Sequence, residues 1–118
     1  MINWQYLTEA IHLSEIHEAS FQQPILIYKH STRCSISSMV LYRLERAWDT
    51  DEMQMAQPYF LDLITYRTLS NEIAKVYNVR HESPQLLLIS KGECKYDDSH
   101  GGINYLTLKD LVQAIYFS

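Results

Sequence analysis

One residue in this chain has the setting of a working nucleophile. Cys34 stands in the run KHSTRCSIS, residues 29–37, just past an apolar stretch and at the start of a segment with helical spacing. The free N–H groups and partial positive charge of a helix N-terminus favour a thiolate over a thiol. Arg33 adjoins the cysteine, Lys29 and His30 are close in sequence, and the hydroxyls of Ser35 and Ser37 are within reach to donate to the sulfur. A lowered pKa and some exposure are therefore expected, the two conditions for thiol reactivity. The alternative is an inert cysteine buried as a small hydrophobe. Its polar neighbours Thr32, Arg33 and Ser35 fit a core position poorly.

Composition narrows what surrounds this thiol. The 118 residues are 47% hydrophobic and include only three Gly and three Pro, which predicts one globular domain spanning 1–118 with a real core. A net charge of −4, without any basic run, argues against a nucleic-acid partner. The start, MINWQYLTEAI, lacks a basic region followed by an apolar stretch, and no apolar run is long enough to span a membrane. The expectation is a soluble cytoplasmic protein with no membrane partner. Its two cysteines, Cys34 and Cys94, form no Cys-x-x-Cys pair, and its five histidines no i, i+4 pair, so no metal site is expected.

The elements that must hold Cys34 follow from pattern. A helix is expected within Glu9–Ser20, capped by Thr8 or Ser14, with Ile16 inward. ILIY, 25–28, reads as a strand buried on both faces. Ile36, Met39, Val40, Leu44, Ala47 and Trp48 give helical spacing after the cysteine. PYFLDLIT, 58–65, alternates as a second strand through Tyr59, Leu61 and Leu63. Ser70 opens a short helix, QLLLIS, 85–90, is a third strand, and Glu93–Tyr96 returns as a fourth after Lys91-Gly92. Thr107-x-x-Asp110 starts the last helix. The order is α-β-α-β-α-β-β-α: two βα units feed a parallel pair, and a hairpin completes a mixed four-stranded sheet with helices on both faces. That is a thioredoxin-like α/β arrangement.

In this arrangement Pro84 begins the third strand beside the Cys34 loop. A cis bond is expected there, turning the Ser83 backbone toward the sulfur; the other reading is a trans proline that simply starts a strand. The second cysteine of a dithiol oxidoreductase would stand at position 37, which is Ser37. Cys94 falls at the far end of the sheet, about 15–20 Å away at ~3.3 Å per residue. A disulfide needs Cα atoms within roughly 7 Å. Cys94 is therefore read as structural, and the partner of Cys34 as an external thiol.

The segments KHSTRCSIS (29–37), RTLSNEIAKVYNVRHESPQLLLISKGE (67–93) and DSHGGI (98–103) together resemble the monothiol bacilliredoxins, over nearly the whole chain. KHST-x-C and RHESPQ are the most specific parts. The resemblance implies a thioredoxin-fold redox protein of the bacillithiol system that removes bacillithiol from protein mixed disulfides. Cys34 would be the nucleophile, Ser83-Pro84 the cis-proline element, and bacillithiol a co-substrate, with no bound cofactor or metal. The partners implied are bacillithiolated proteins and free bacillithiol. One departure stands out: the family's usual proline after the cysteine is here Ser35, which leaves an N–H in place.

The ligand carries carboxylates, for which Arg33 and Lys29 are the expected partners, Arg33 preferred for its bidentate fork. Ser99 and His100 are expected to offer hydrogen bonds, and Gly101 and Gly102 close backbone approach; a plain turn with a solvated His100 is the competing reading. His30 is expected to be structural at the strand end. His81 is read as a surface residue or a lining of the cleft, and Asp97 and Asp98 as a solvated turn. Alternatives to the oxidoreductase are a thiol peroxidase or arsenate-reductase-like enzyme, an iron–sulfur cluster scaffold using Cys34, and a redox-inactive adaptor.

Overall fold

The computed structural model describes residues 1–118. Its elements are β1 (Gln5–Tyr6), α1 (Ala10–Ala19), β2 (Ile25–His30), α2 (Ser35–Ala47), β3 (Gln57–Asp62), α3 (Arg67–Val76), β4 (Gln85–Ser90), β5 (Glu93–Ser99), a 3-10 turn (His100–Gly102) and α4 (Tyr105–Tyr116). The sheet runs β1-β3-β2-β4-β5. β2 pairs with β3 in parallel and with β4 antiparallel, and the β4–β5 hairpin forms the other edge.

The sheet has five strands where the sequence pattern predicts four. The addition is β1, two exposed residues that pair in parallel with Tyr59 and Phe60 of β3. No alternation announces so short a segment; it is a strand only because the β3 edge needs partners. No helix is long and apolar enough to cross a membrane.

Alternating side chains divide the core into two layers. Leu26 and Tyr28 of β2, with Leu86 and Leu88 of β4, pack under α2 and α4 through Val40, Leu44, Leu108 and Val112. Ile25 and Ile27, with Leu87 and Ile89, pack under α1 and α3 through Ile16, Leu69 and Ile73. β2 is thus covered on both faces, as its unbroken apolar run requires.

Several boundaries move, each for a local reason. α1 is capped by Glu9, not by Thr8 or Ser14, in a reciprocal box in which the His12 ring accepts from the Glu9 N–H. α2 buries only Ser37, Val40 and Leu44; Ile36, Met39 and Ala47 of the expected apolar stripe face solvent. α3 starts at Arg67, three residues before Ser70, which is buried inside it. α4 starts at Tyr105 because the Asn104 side chain caps it, accepting from the Thr107 N–H at 3.0 Å. Lys91 and Gly92 both take positive φ (52° and 76°), the two-residue turn that suits a twisted hairpin. A Cβ on Gly92 would sit 2.9 Å from the His17 ring.

Candidate active site

Cys34 is the N-cap residue of α2, in extended backbone between the end of β2 and the first helical turn. Its side chain is half-buried and its thiol is free. No side-chain hydrogen bond caps the helix, so the first-turn amides next to Cys34 in the chain keep their donors open. This is the strand–loop–helix junction the sequence predicts, and it aims a fixed positive dipole end at the thiol.

The loop before the cysteine is tied to the helix after it. Ser37 Oγ accepts from the Ser31 N–H at 3.1 Å and lies 2.7 Å from His30 Nδ1. The Ser31 hydroxyl accepts from the Arg33 N–H at 3.3 Å, and the Ser31 carbonyl from the Cys34 N–H at 3.2 Å. Tyr28 reaches up from the core to donate its hydroxyl to the Ser37 carbonyl at 3.1 Å. Burial raises Tyr28 to about 12, with a smaller push from the nearby Cys34, so it remains a protonated donor. Burial lowers the pKa of His30, against smaller opposing effects of Asp62 and Glu45.

The expected hydroxyl bonds to the sulfur are therefore absent. Ser37 is fully buried and spent on Ser31 and His30, and Ser35 points outward on the exposed first turn. Lys29 is corrected more sharply. It is completely buried, with Nζ donating to the Ser70 carbonyl at 3.1 Å and lying 3.4 Å from His81 Nδ1, and it cannot meet a ligand carboxylate at the surface. The reason is position: residue 29 still lies in a central strand, on the face covered by α3. Arg33 is exposed and remains open to an anion. His30 is structural, as expected.

The second wall comes from the antiparallel β2–β4 ladder. Lys29 pairs with Gln85, which carries Ser83-Pro84 alongside His30 and Ser31, at the same end of the sheet as Cys34. The Ser83–Pro84 bond is cis. Ser83 Oγ is buried with no partner, and the Pro84 carbonyl accepts from the His100 N–H at 3.0 Å. Ser99 pairs with Gln85, and His100 Nε2 stands 3.6 Å from the Glu82 carboxylate on an exposed turn. Gly102 lies against this chain's own Asp98, since a Cβ there would lie 2.6 Å from Asp98 Oδ1, while Gly101 faces open space. Asp98 is not a solvated turn: within β5 it accepts from the Tyr96 hydroxyl at 2.7 Å and the Ser99 N–H at 2.8 Å.

Cys94 pairs with Ile89, at the opposite end of β4 from Gln85. Its thiol donates to the Tyr96 carbonyl at 3.3 Å, and burial raises its pKa. Sequence reasoning missed Tyr28, Ser31, Ser70 and Gln85. The one available signal was a polar pair, Tyr28-Lys29, ending an otherwise apolar strand.

With this geometry in place, comparison with known proteins is decisive on family. The family model of the monothiol bacilliredoxin BrxC matches residues 5–108, spanning Cys34, Pro84 and the His100 turn. The chain belongs to the monothiol bacilliredoxin family. Among solved structures, one assigned as an oxidoreductase with a thioredoxin fold is 30% identical, with a TM-score of 0.75 and 89% of each chain covered. Thioredoxin from Malassezia sympodialis superposes with a TM-score of 0.74 at 12% identity, covering 97% of this chain and 91% of its own. Thioredoxin from Fasciola hepatica gives 0.67 at 16% identity, covering 93% and 97%. The last two carry the fold alone. A bacilliredoxin of this fold has thiol–disulfide redox chemistry as its general activity.

Proposed function

We propose that this bacilliredoxin removes bacillithiol from protein mixed disulfides, with Cys34 as its nucleophile. The observation that carries the reading is the isolation of that thiol. Position 37 holds a hydroxyl committed to Ser31 and His30, and Cys94 sits at the other end of the sheet, so no internal sulfur can resolve Cys34. In the first step the Cys34 thiolate attacks the bacillithiol sulfur of a modified protein. The old S–S bond breaks, the protein sulfur leaves as a thiolate and takes a proton from water, and a Cys34–bacillithiol disulfide forms. A second bacillithiol thiolate then attacks that disulfide, regenerates Cys34 and departs as bacillithiol disulfide.

Other residues would serve binding. Arg33 pairs with a bacillithiol carboxylate, and the exposed Ser35 contacts the ligand at the helix start. Ser83-Pro84, Ser99 and His100 line the opposite wall, and Ser37 acts by shaping the loop. The whole chain would work as one domain, in the cytoplasm, where structural disulfides do not compete for the thiol.

The test is intact-mass analysis of reduced protein mixed with a bacillithiolated protein, beside Cys34→Ser. One bacillithiol-mass adduct, absent from the variant and released by free bacillithiol, is the expected result. An unmodified Cys34 in protein whose thiol reacts with iodoacetamide would overturn the reading.

A further inference from the structure

Lys29 is a buried amine without a counter-ion. No carboxylate pairs with it, and its partners are neutral: the Ser70 carbonyl on α3 and His81 Nδ1 on the connection between α3 and β4. Ser70 Oγ also approaches His81 Nδ1, at 3.3 Å. From the β4 side, Gln85 Nε2 donates to the Arg80 carbonyl at 2.9 Å, while its buried Oε1 has no partner.

An apolar side chain at position 29 would avoid the desolvation of an ammonium altogether. What the amine adds is direction. The connection from Asn78 to Ser83 offers the core little apolar surface, with Val79 alone half-buried against it. Polar bonds therefore set where this segment lies, and it runs straight into Ser83-Pro84 beside the Cys34 loop.

We propose that Lys29 is a positioning residue for the substrate cleft: through His81 it pins the Arg80–Pro84 segment to the end of β2 and so fixes the wall opposite Cys34. This rests on the reading of Cys34 as the nucleophile and extends it to the far face of the sheet. The ammonium donates to both the α3 carbonyl and the imidazole, so His81 is held as the tautomer with an unprotonated Nδ1. Arg67 on α3 and Glu82 on the connection are the charged groups that also face His81, and they act on it in opposite senses. Burial lowers the pKa of His81, with Lys29 next and Arg67 after it, which agrees with an imidazole that accepts rather than donates.

The test uses the full-length protein, a bacillithiolated peptide as substrate, and iodoacetamide as a small probe of Cys34. Lys29→Met and His81→Ala should each raise the KM for the peptide about tenfold. The rate of Cys34 alkylation should stay within about twofold of wild type, because the probe does not use the wall. His81→Gln, whose amide oxygen can accept from the ammonium, should recover most of the loss seen with His81→Ala. In Lys29→Met, nitrogen NMR should show the His81 titration midpoint moving up. An unchanged KM with the His81 signature altered would overturn the proposal, leaving the cluster purely structural. Parallel losses of KM and alkylation rate would overturn it as well. If the wild-type protein does not react with the bacillithiolated peptide, the proposed function fails instead. The positioning role is then read by the same variants with a peptide–cysteine mixed disulfide.

Discussion

Ser37 Oγ and His30 Nδ1 are 2.7 Å apart, across the loop that presents Cys34. The same hydroxyl accepts from the Ser31 N–H, so one oxygen joins the end of β2, the loop and the first turn of α2. Ser37→Ala would leave a buried N–H and a buried imidazole nitrogen without this partner. The expected cost is about 1–3 kcal/mol, read as a lowered Tm, together with faster hydrogen exchange at the Ser31 amide. An unchanged Tm and exchange rate would show that water replaces the hydroxyl without loss.

His30 gives that loop an acid limit. Its folded-state pKa is depressed by burial, so below about 6.5 the unfolded chain binds a proton that the native imidazole resists. This contribution is complete above the ordinary histidine pKa and is lost as pH falls through the folded value. Urea titrations between pH 7 and 5 should show stability falling, and the slope should be smaller in His30→Phe.

Lys29 should behave in the opposite way to a stabilising ion pair. Burial lowers it from 10.5 to about 8, so the native state carries its full penalty below pH 8 and sheds it as pH rises toward 10.5. Lys29→Met should therefore be more stable than wild type at pH 7, by roughly 1–3 kcal/mol in urea. The advantage should shrink between pH 8 and 10. A destabilised Lys29→Met would mean that the bonds to Ser70 and His81 outweigh desolvation.

The two adjacent glycines separate cleanly. Gly102→Ala places a Cβ against the Asp98 carboxylate, which Tyr96 and Ser99 hold in place, whereas Gly101→Ala enters open space. The first should lower stability by about 1–2 kcal/mol and the second by less than about 0.5. Thermal unfolding of the pair decides it, since equal effects would rule out the steric argument.

Much of this was legible locally. The apolar run of β2, the turn into α2 and Pro84 before QLLLIS are signals read within a few residues, and they locate Cys34 and its opposite wall. What escaped depended on the third dimension. Lys29 follows ILIY and reads as a strand emerging into water, yet β2 is flanked on both sides and roofed by α3, so its end stays dry. Ser37 reads as a hydroxyl near a sulfur, but its direction is set by the helix, which turns it inward to His30. β1 has no pattern of its own, and His81 and Ser70 meet Lys29 across 52 and 41 residues of sequence.

Cys34 and Cys94 are held apart by the length of β4, about 13 Å from Gln85 to Ile89 at ~3.3 Å per residue. Oxidation of this chain to a disulfide must therefore add mass. A dithiol protein stores an oxidation by losing two hydrogens and keeps its outline; this one can store it only by wearing its partner. With Cys34 as the nucleophile, the oxidised form would carry the small thiol of the disulfide it last opened, and its surface would differ from the reduced form by one appended molecule at the mouth of α2.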